Sequence, residues 1–132
     1  MKKKLSAFSL TELLVVLVII GVLVLLALPN LMPLISKAKA TEAQLQLEHV
    51  YTLEKTYFYT NSKYSNDLSE IGFEQAKLTT AGGQANYQIE IIEANPSTFK
   101  AKATAVVDFN QDGKFNVWEI DQDKNLKEVT KD

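Results

Sequence analysis

Between Ala7 and Leu28 the chain reads AFSLTELLVVLVIIGVLVLLAL, and from Leu13 to Leu28 no residue is polar. With Phe8 and Leu10 the run approaches the ~20 residues that carry a helix across a bilayer. One acid, Glu12, stands near its start. A carboxylate at membrane depth costs roughly 2.5–3.5 kcal/mol even on lenient insertion scales, so such a residue has a partner or a task. Lys2, Lys3 and Lys4 precede the run. The positive-inside rule keeps that end in the cytoplasm and sends the rest of the chain across.

Three accounts fit the run. A secretory signal peptide has a basic start, an apolar middle and a small-residue cut site. Ala38-Lys39-Ala40 supplies an A-x-A pattern, but it lies well past the apolar stretch. A plain single-pass anchor leaves Glu12 without a role. The third account rests on KKKLSA followed by FSLTELLVV. This order of charges, small residue, Phe, acid and apolar helix resembles the class III leader of type IV pilins and type II secretion pseudopilins. The resemblance implies that a prepilin peptidase cuts between Ala7 and Phe8 on the cytoplasmic face. It implies that the new Phe8 amine is methylated, and that Glu12, with Phe8, governs assembly. One departure is Ala7, where that family usually has Gly.

The chain has 132 residues. Setting aside the leader and a long helix leaves about 70 residues, enough for one small domain. Such a body usually needs a staple. Cysteine is absent, so the staple is not a disulfide. The formal net charge is −2, and three of the lysines lie in the leader. No arginine occurs, and the scattered lysines leave nucleic-acid binding absent or weak. An acidic balance suits a soluble surface outside the cytoplasm.

Gly21, Pro29 and Pro33 weaken the helix, and kinks are expected there. Helical spacing then resumes through Ala40, Ala43, Leu47, Val50, Leu53 and Tyr57, with polar residues between. The expectation is one kinked helix from about Phe8 to about Tyr59. Its first half is apolar all round, and its second half buries one stripe. In the pilin resemblance, the stretch from Gly21 to Pro29 is one that can unwind in a filament. Asn61-Ser62-Lys63 and Ser65-Asn66-Asp67 are turn chemistry that ends the helix. Tyr64-Ser65 and Ile71-Gly72-Phe73 resemble the pilin connection between helix and sheet. Strand alternation follows at Tyr87–Ile91 and Phe99–Ala105, with shorter strands at Phe115–Ile120 and Leu126–Val129. The expected class is α+β, with the amphipathic half of the helix on a small antiparallel sheet.

Asp108, Asn110, Asp112, Lys114, Asn116 and Glu119 occupy the ligand positions of an EF-hand calcium loop, with Gly113 at the turn. Calcium takes six to eight oxygens. Five side chains and the Lys114 carbonyl would supply them. The flanks read as strands, so the helices of an EF-hand are not expected. Two plainer accounts stay open: Asp-Gly as a hairpin turn, and the acids as a solvated face. Asp121, Asp123 and Asn125 form a second oxygen-rich turn nearby. The resemblance adds that major pseudopilins hold calcium in this terminal region, and that the Asp-rich loop before Trp118-Glu119-Ile120-Asp121 is similar to cysteine-free bacterial pilins. His49 is the single histidine, and no nucleophile or phosphate-loop motif accompanies it. An enzyme is not expected.

The expected organisation is a leader at 1–7, a membrane or filament-core helix at 8–29, an amphipathic half at 30–60 and a sheet-bearing head at 61–132. The expected role is a filament subunit held in the inner membrane as a single-pass precursor. It would then assemble with identical and related subunits, through a peptidase and an assembly platform, into an extracellular pilus or a periplasmic pseudopilus. The alternatives are a membrane-anchored calcium module and a secreted domain cut after Ala40.

Overall fold

The computed structural model describes residues 9–131, without the side chains of 29–33. Ala7 and Phe8, on which the processing expectation rests, lie outside the described residues. Two compact units follow each other, Met1–Leu34 and Ile35–Asp132.

The helix α1 runs from Leu10 to Asn61, 52 residues in all. Helical backbone continues through Gly21, Pro29 and Pro33, so these weak positions do not end it. Ser62 does. It takes a left-handed conformation (φ 59°) and its N–H closes on the Phe58 carbonyl at 2.7 Å, an αL stop made without glycine. In the first unit every side chain from Leu10 to Leu28 is exposed. That 19-residue segment is long and apolar enough to cross a membrane.

In the second unit α1 lies on four antiparallel strands in the order β1-β2-β3-β4: Tyr87–Ala94, Phe99–Ala105, Val117–Asp121 and Leu126–Thr130. β3 starts two residues later than the alternation suggested, because Phe115 and Asn116 belong to the preceding loop. Ala43, Leu47 and Val50 of α1 and Ala101 and Ala103 of β2 are fully buried. Alanines on β2, an inner strand, let the helix backbone approach closely, while Leu47 and Val50 fill the space between. Phe99, Tyr64, Phe73, Tyr87, Ile89 and Ile120, with Ile71 and Ala105, complete the core.

The outward face of the sheet reads differently. Register places Glu90 opposite Lys102, Lys102 opposite Glu119, and Glu119 opposite Lys127. The result is a row of alternating charges across all four strands, the favourable cross-strand arrangement. Lys102 Nζ lies 3.0 Å from a Glu90 oxygen.

The connection from helix to sheet is held by side chains as much as by backbone. Glu42 accepts the Asn86 N–H at 3.0 Å, tying α1 to the start of β1. Gln75 accepts the Ile89 N–H at 2.8 Å and donates to the Tyr87 carbonyl at 3.2 Å, so an amide side chain covers part of the free edge of β1. At Gly83 an added Cβ would lie 2.0 Å from the Lys77 carbonyl oxygen, so only glycine fits there.

Candidate functional site

Three places carry chemistry beyond packing. The first is the start of α1. Ser9 and Glu12 form a reciprocal cap: the Glu12 N–H donates to Ser9 Oγ at 3.2 Å, and the Ser9 N–H donates to Glu12 Oε2 at 3.3 Å. This is the S-x-x-E capping box, in which serine and acid each satisfy an orphan donor of the first turn. The acid also faces the positive end of the helix dipole. Within a single chain Glu12 therefore has a partner, and its carboxylate stays exposed at the rim of an apolar rod. The sequence signal for it is the S-x-x-E spacing of Ser9 and Glu12 just before the apolar run.

The second place is the loop from Val106 to Asn116. Asp108 Oδ2 accepts the Gly113 N–H at 2.7 Å, Asn110 Oδ1 the Asp112 N–H at 3.1 Å, and Asp112 Oδ1 the Lys114 N–H at 2.8 Å. Gln111 and Gly113 adopt positive φ of 60° and 85°, which curls the chain around these oxygens. Asp108 Oδ1 is buried and accepts no hydrogen bond. A buried oxygen without a donor is costly, and a cation would satisfy it. Asp108, Asn110, Asp112 and Lys114, four of the six expected ligands, are thus brought together in one turn.

The other two expected ligands are placed elsewhere. Asn116 is buried, and its Oδ1 accepts from the Tyr87 hydroxyl at 2.6 Å and from Trp118 Nε1 at 2.8 Å. Its Nδ2 donates to Glu128 at 2.8 Å and to the Thr130 carbonyl at 2.9 Å. Both lone pairs are occupied in holding β1, β3 and β4 together. Glu119 stands in the charge row of β3, opposite two lysines. Among the described residues no three or more His, Cys, Asp or Glu side chains gather as a metal cluster. The second oxygen-rich turn closes on itself. Asp121 Oδ1 accepts the Asp123 and Asn125 N–H groups at 2.9 and 3.0 Å. Burial tends to raise the Asp121 carboxyl, but the hydrogen bonds from Asn125 and Asp123 outweigh it and hold the group below the usual range. His49 is exposed, with its ring 5.8 Å from that of Phe73.

The third place was not anticipated. Glu54 is fully buried in the amphipathic half of α1. Its Oε2 accepts the Ser65 N–H at 3.1 Å, and its Oε1 has no partner. The Ser65 hydroxyl donates to Glu70 Oε2 at 3.1 Å, and the Tyr57 hydroxyl donates to Glu70 Oε1. Burial, with help from the nearby Glu70 charge and against the Ser65 hydrogen bond, pushes the Glu54 carboxyl from 4.5 up to about 7. Above it, Tyr64 stacks on Phe58 with ring centroids 4.8 Å apart and meets Phe99 at 5.0 Å. Lys55 Nζ reaches the Tyr64 hydroxyl at 2.9 Å.

Residues 2–28 match the family model described as the prokaryotic N-terminal methylation motif. The chain is also similar to the type IV major pilin protein PilA of Myxococcus xanthus (strain DK1622), at 39% identity over 66 residues. That match covers 50% of this chain and 30% of the Myxococcus protein, so the shared region is under a third of the relative's length.

Proposed function

We propose, from the methylation motif at residues 2–28 and the similarity to a type IV major pilin, that this chain is a structural subunit of a type IV pilus. Leu10–Leu28 anchors it in the inner membrane and then packs with the same helix of other copies. One observation carries the reading: a wholly exposed apolar helix that bears the methylation motif and a single acid at its rim. A prepilin peptidase frees the amine of Phe8, the amine is methylated, and an assembly platform adds the subunit to the filament base. The similarity to a protein named a major pilin favours a surface pilus over a secretion pseudopilus.

In this reading Glu12 does two jobs. In the single chain it caps its own helix with Ser9. In the filament it meets the Phe8 amine of a neighbour and fixes how far each helix slides. Removing one partner of a buried charge pair strands the other at ~3–5 kcal/mol, a penalty repeated at every subunit. A capping box accepts Gln as well as Glu, so Glu12→Gln keeps the cap and removes the charge. Glu12→Gln and Glu12→Ala are expected to be cleaved before Phe8 and inserted normally, yet to give few or no filaments by electron microscopy. Glu12→Asp falls between. Abundant filaments from Glu12→Gln would show that capping, not charge, is what Glu12 provides. Mass spectrometry separates the broader alternatives: a first residue of Phe8 for a pilin, Thr41 for a secreted domain, Met1 for a plain anchor.

Calcium is a second, separate part of the proposal, favoured by the buried, donor-free oxygen of Asp108. The holding residues would be Asp108, Asn110, Asp112 and the Lys114 carbonyl, with water completing the shell. When bound, the ion would pin the loop before β3 and serve as the staple of a body without disulfides. Binding adds ~2.7 kcal/mol at a hundredfold excess over the dissociation constant. Asp112→Ala is expected to abolish a calcium-dependent rise in melting temperature. Equal melting of the wild type in calcium and in chelator would remove calcium from the proposal and leave the filament reading untouched.

A further inference from the structure

The connection between helix and sheet hangs on Ser65, and two acids hold that residue by different atoms. Glu54 takes its N–H from beneath, and Glu70 takes its hydroxyl from the loop side. The two carboxyls are not equivalent. Glu70 accepts from both the Tyr57 and Ser65 hydroxyls, a donor set suited to a carboxylate. Glu54 has one backbone donor, one orphaned oxygen and no contact with water. An ionised carboxylate in that position pays for lost hydration without compensating donors, whereas the neutral acid does not. The titratable groups facing Glu54 are Tyr57 on its own helix and Glu70 on the loop; Lys55 is turned to Tyr64 instead. The strands contribute no charged partner to it among the described residues.

We propose that Glu54 is a pH-sensitive catch: protonated, it keeps the loop at 62–73 seated on α1, and ionised, it gains water only by letting Ser65 lift away. Ser65 and Tyr64 are adjacent, so release also unstacks Tyr64 from Phe58 and Phe99. The direction of the effect follows from the elevated carboxyl, which ordinarily titrates at 4.5 and here near 7. In the open loop Glu54 regains its ordinary behaviour. Below 4.5 both states hold the proton and the catch is fully closed. As pH rises from there, only the open state loses its proton, so the closed state weakens by up to about tenfold per pH unit. Above about 7 both states are ionised and the loss levels off. The device therefore responds across the mildly acidic to neutral range.

The experiment is backbone amide hydrogen exchange on the full chain in detergent micelles, from pH 5 to 8, with each rate corrected for its intrinsic pH dependence. In the wild type the protection of Ser65 is expected to fall as pH rises to 7, on the order of a hundredfold at most, and then to flatten. Protection of Leu47 and Ala103 stays constant. Glu54→Gln can still accept from Ser65 and cannot ionise, so its Ser65 protection becomes independent of pH. A carbon NMR titration of the Glu54 carboxyl in the wild type needs no variant and is expected to show a midpoint near 7. A midpoint near 4.5, flat Ser65 protection in the wild type, or an unchanged pH profile in Glu54→Gln would each overturn the catch.

Discussion

Two stretches of the same helix face opposite conditions. From Leu10 to Leu28 every side chain is exposed, fifteen large apolar residues among them. From Ala43 to Glu54 the stripe Ala43, Leu47, Val50 and Glu54 is sealed against sheet and loop. An exposed apolar surface of this extent marks contact with a membrane or with other molecules. The second stretch is a folding element whose stability comes from tertiary packing of one face. The difference lies in patterning. Unbroken apolarity gives no side of the helix a reason to face inward, whereas a three- and four-residue rhythm aims one stripe at one core. Each stretch carries one acid that departs from its surroundings: Glu12 is solvated by its cap, and Glu54 is trapped.

The sharpest way to break this comparison is to delete equal side chains in the two stretches. Leu47→Ala removes a fully buried leucine and should cost about 2–5 kcal/mol, because the cavity between α1 and β2 collapses only partly. Leu17→Ala removes a 58% exposed leucine from the first stretch and should leave unfolding of the body unchanged while weakening membrane partition. Denaturant titration of both variants in the same micelles is the measurement. Equal losses would mean that the two stretches share one cooperative core.

A smaller effect separates the two acids of the body that titrate in opposite senses. The Asp121 carboxyl is held low by Asn125 and Asp123, so its contribution is present above its ordinary 3.8 and is lost as pH falls through its lowered value. Glu54 is held high, so its cost appears as pH rises from 4.5 to about 7. Stability of the body should therefore peak in mild acid and decline on both sides. Melting curves across pH should show that Glu54→Gln flattens the neutral side alone and Asp121→Asn flattens the acid side alone. A stability maximum at pH 8 in the wild type would contradict the assignment of Glu54.

How much of this was legible follows from the kind of signal each feature leaves. The apolar run, the turn residues Asn61-Ser62-Lys63 that end the helix, the two long strands and the small residues of β2 all follow from periodicity and turn chemistry, and the α+β class came with them. Glu54 was hidden because a charged residue on an apolar stripe reads as the stripe drifting to Leu53. Only the loop that returns over the helix supplies the Ser65 donor and closes the site. Asn116 and Glu119 fit a calcium spacing on paper, but spacing does not say which side of a strand a residue takes. Tyr87, twenty-nine residues away in sequence, is what occupies Asn116.

Glu119 allows the finest test, because two accounts of it differ most where the expected effect is least. As the middle acid of the row Glu90, Lys102, Glu119, Lys127, it is a half-exposed surface charge between two lysines. Lys102 already has Glu90 at 3.0 Å, so losing Glu119 leaves it paired. Cross-strand charge pairs of this kind contribute roughly 0.2–1 kcal/mol and exposed ones fall at the low end. Salt should shrink the difference further, since the screening length is about 10 Å at 0.1 M. Glu119→Gln should accordingly lower the melting temperature slightly at low ionic strength and not measurably at 0.5 M salt. It should leave any calcium-dependent gain intact, unlike Asp112→Ala. If Glu119→Gln abolished that gain as fully as Asp112→Ala, Glu119 would be a ligand after all. The end of the loop would then have to turn the β3 carboxylate out of its row to meet the ion.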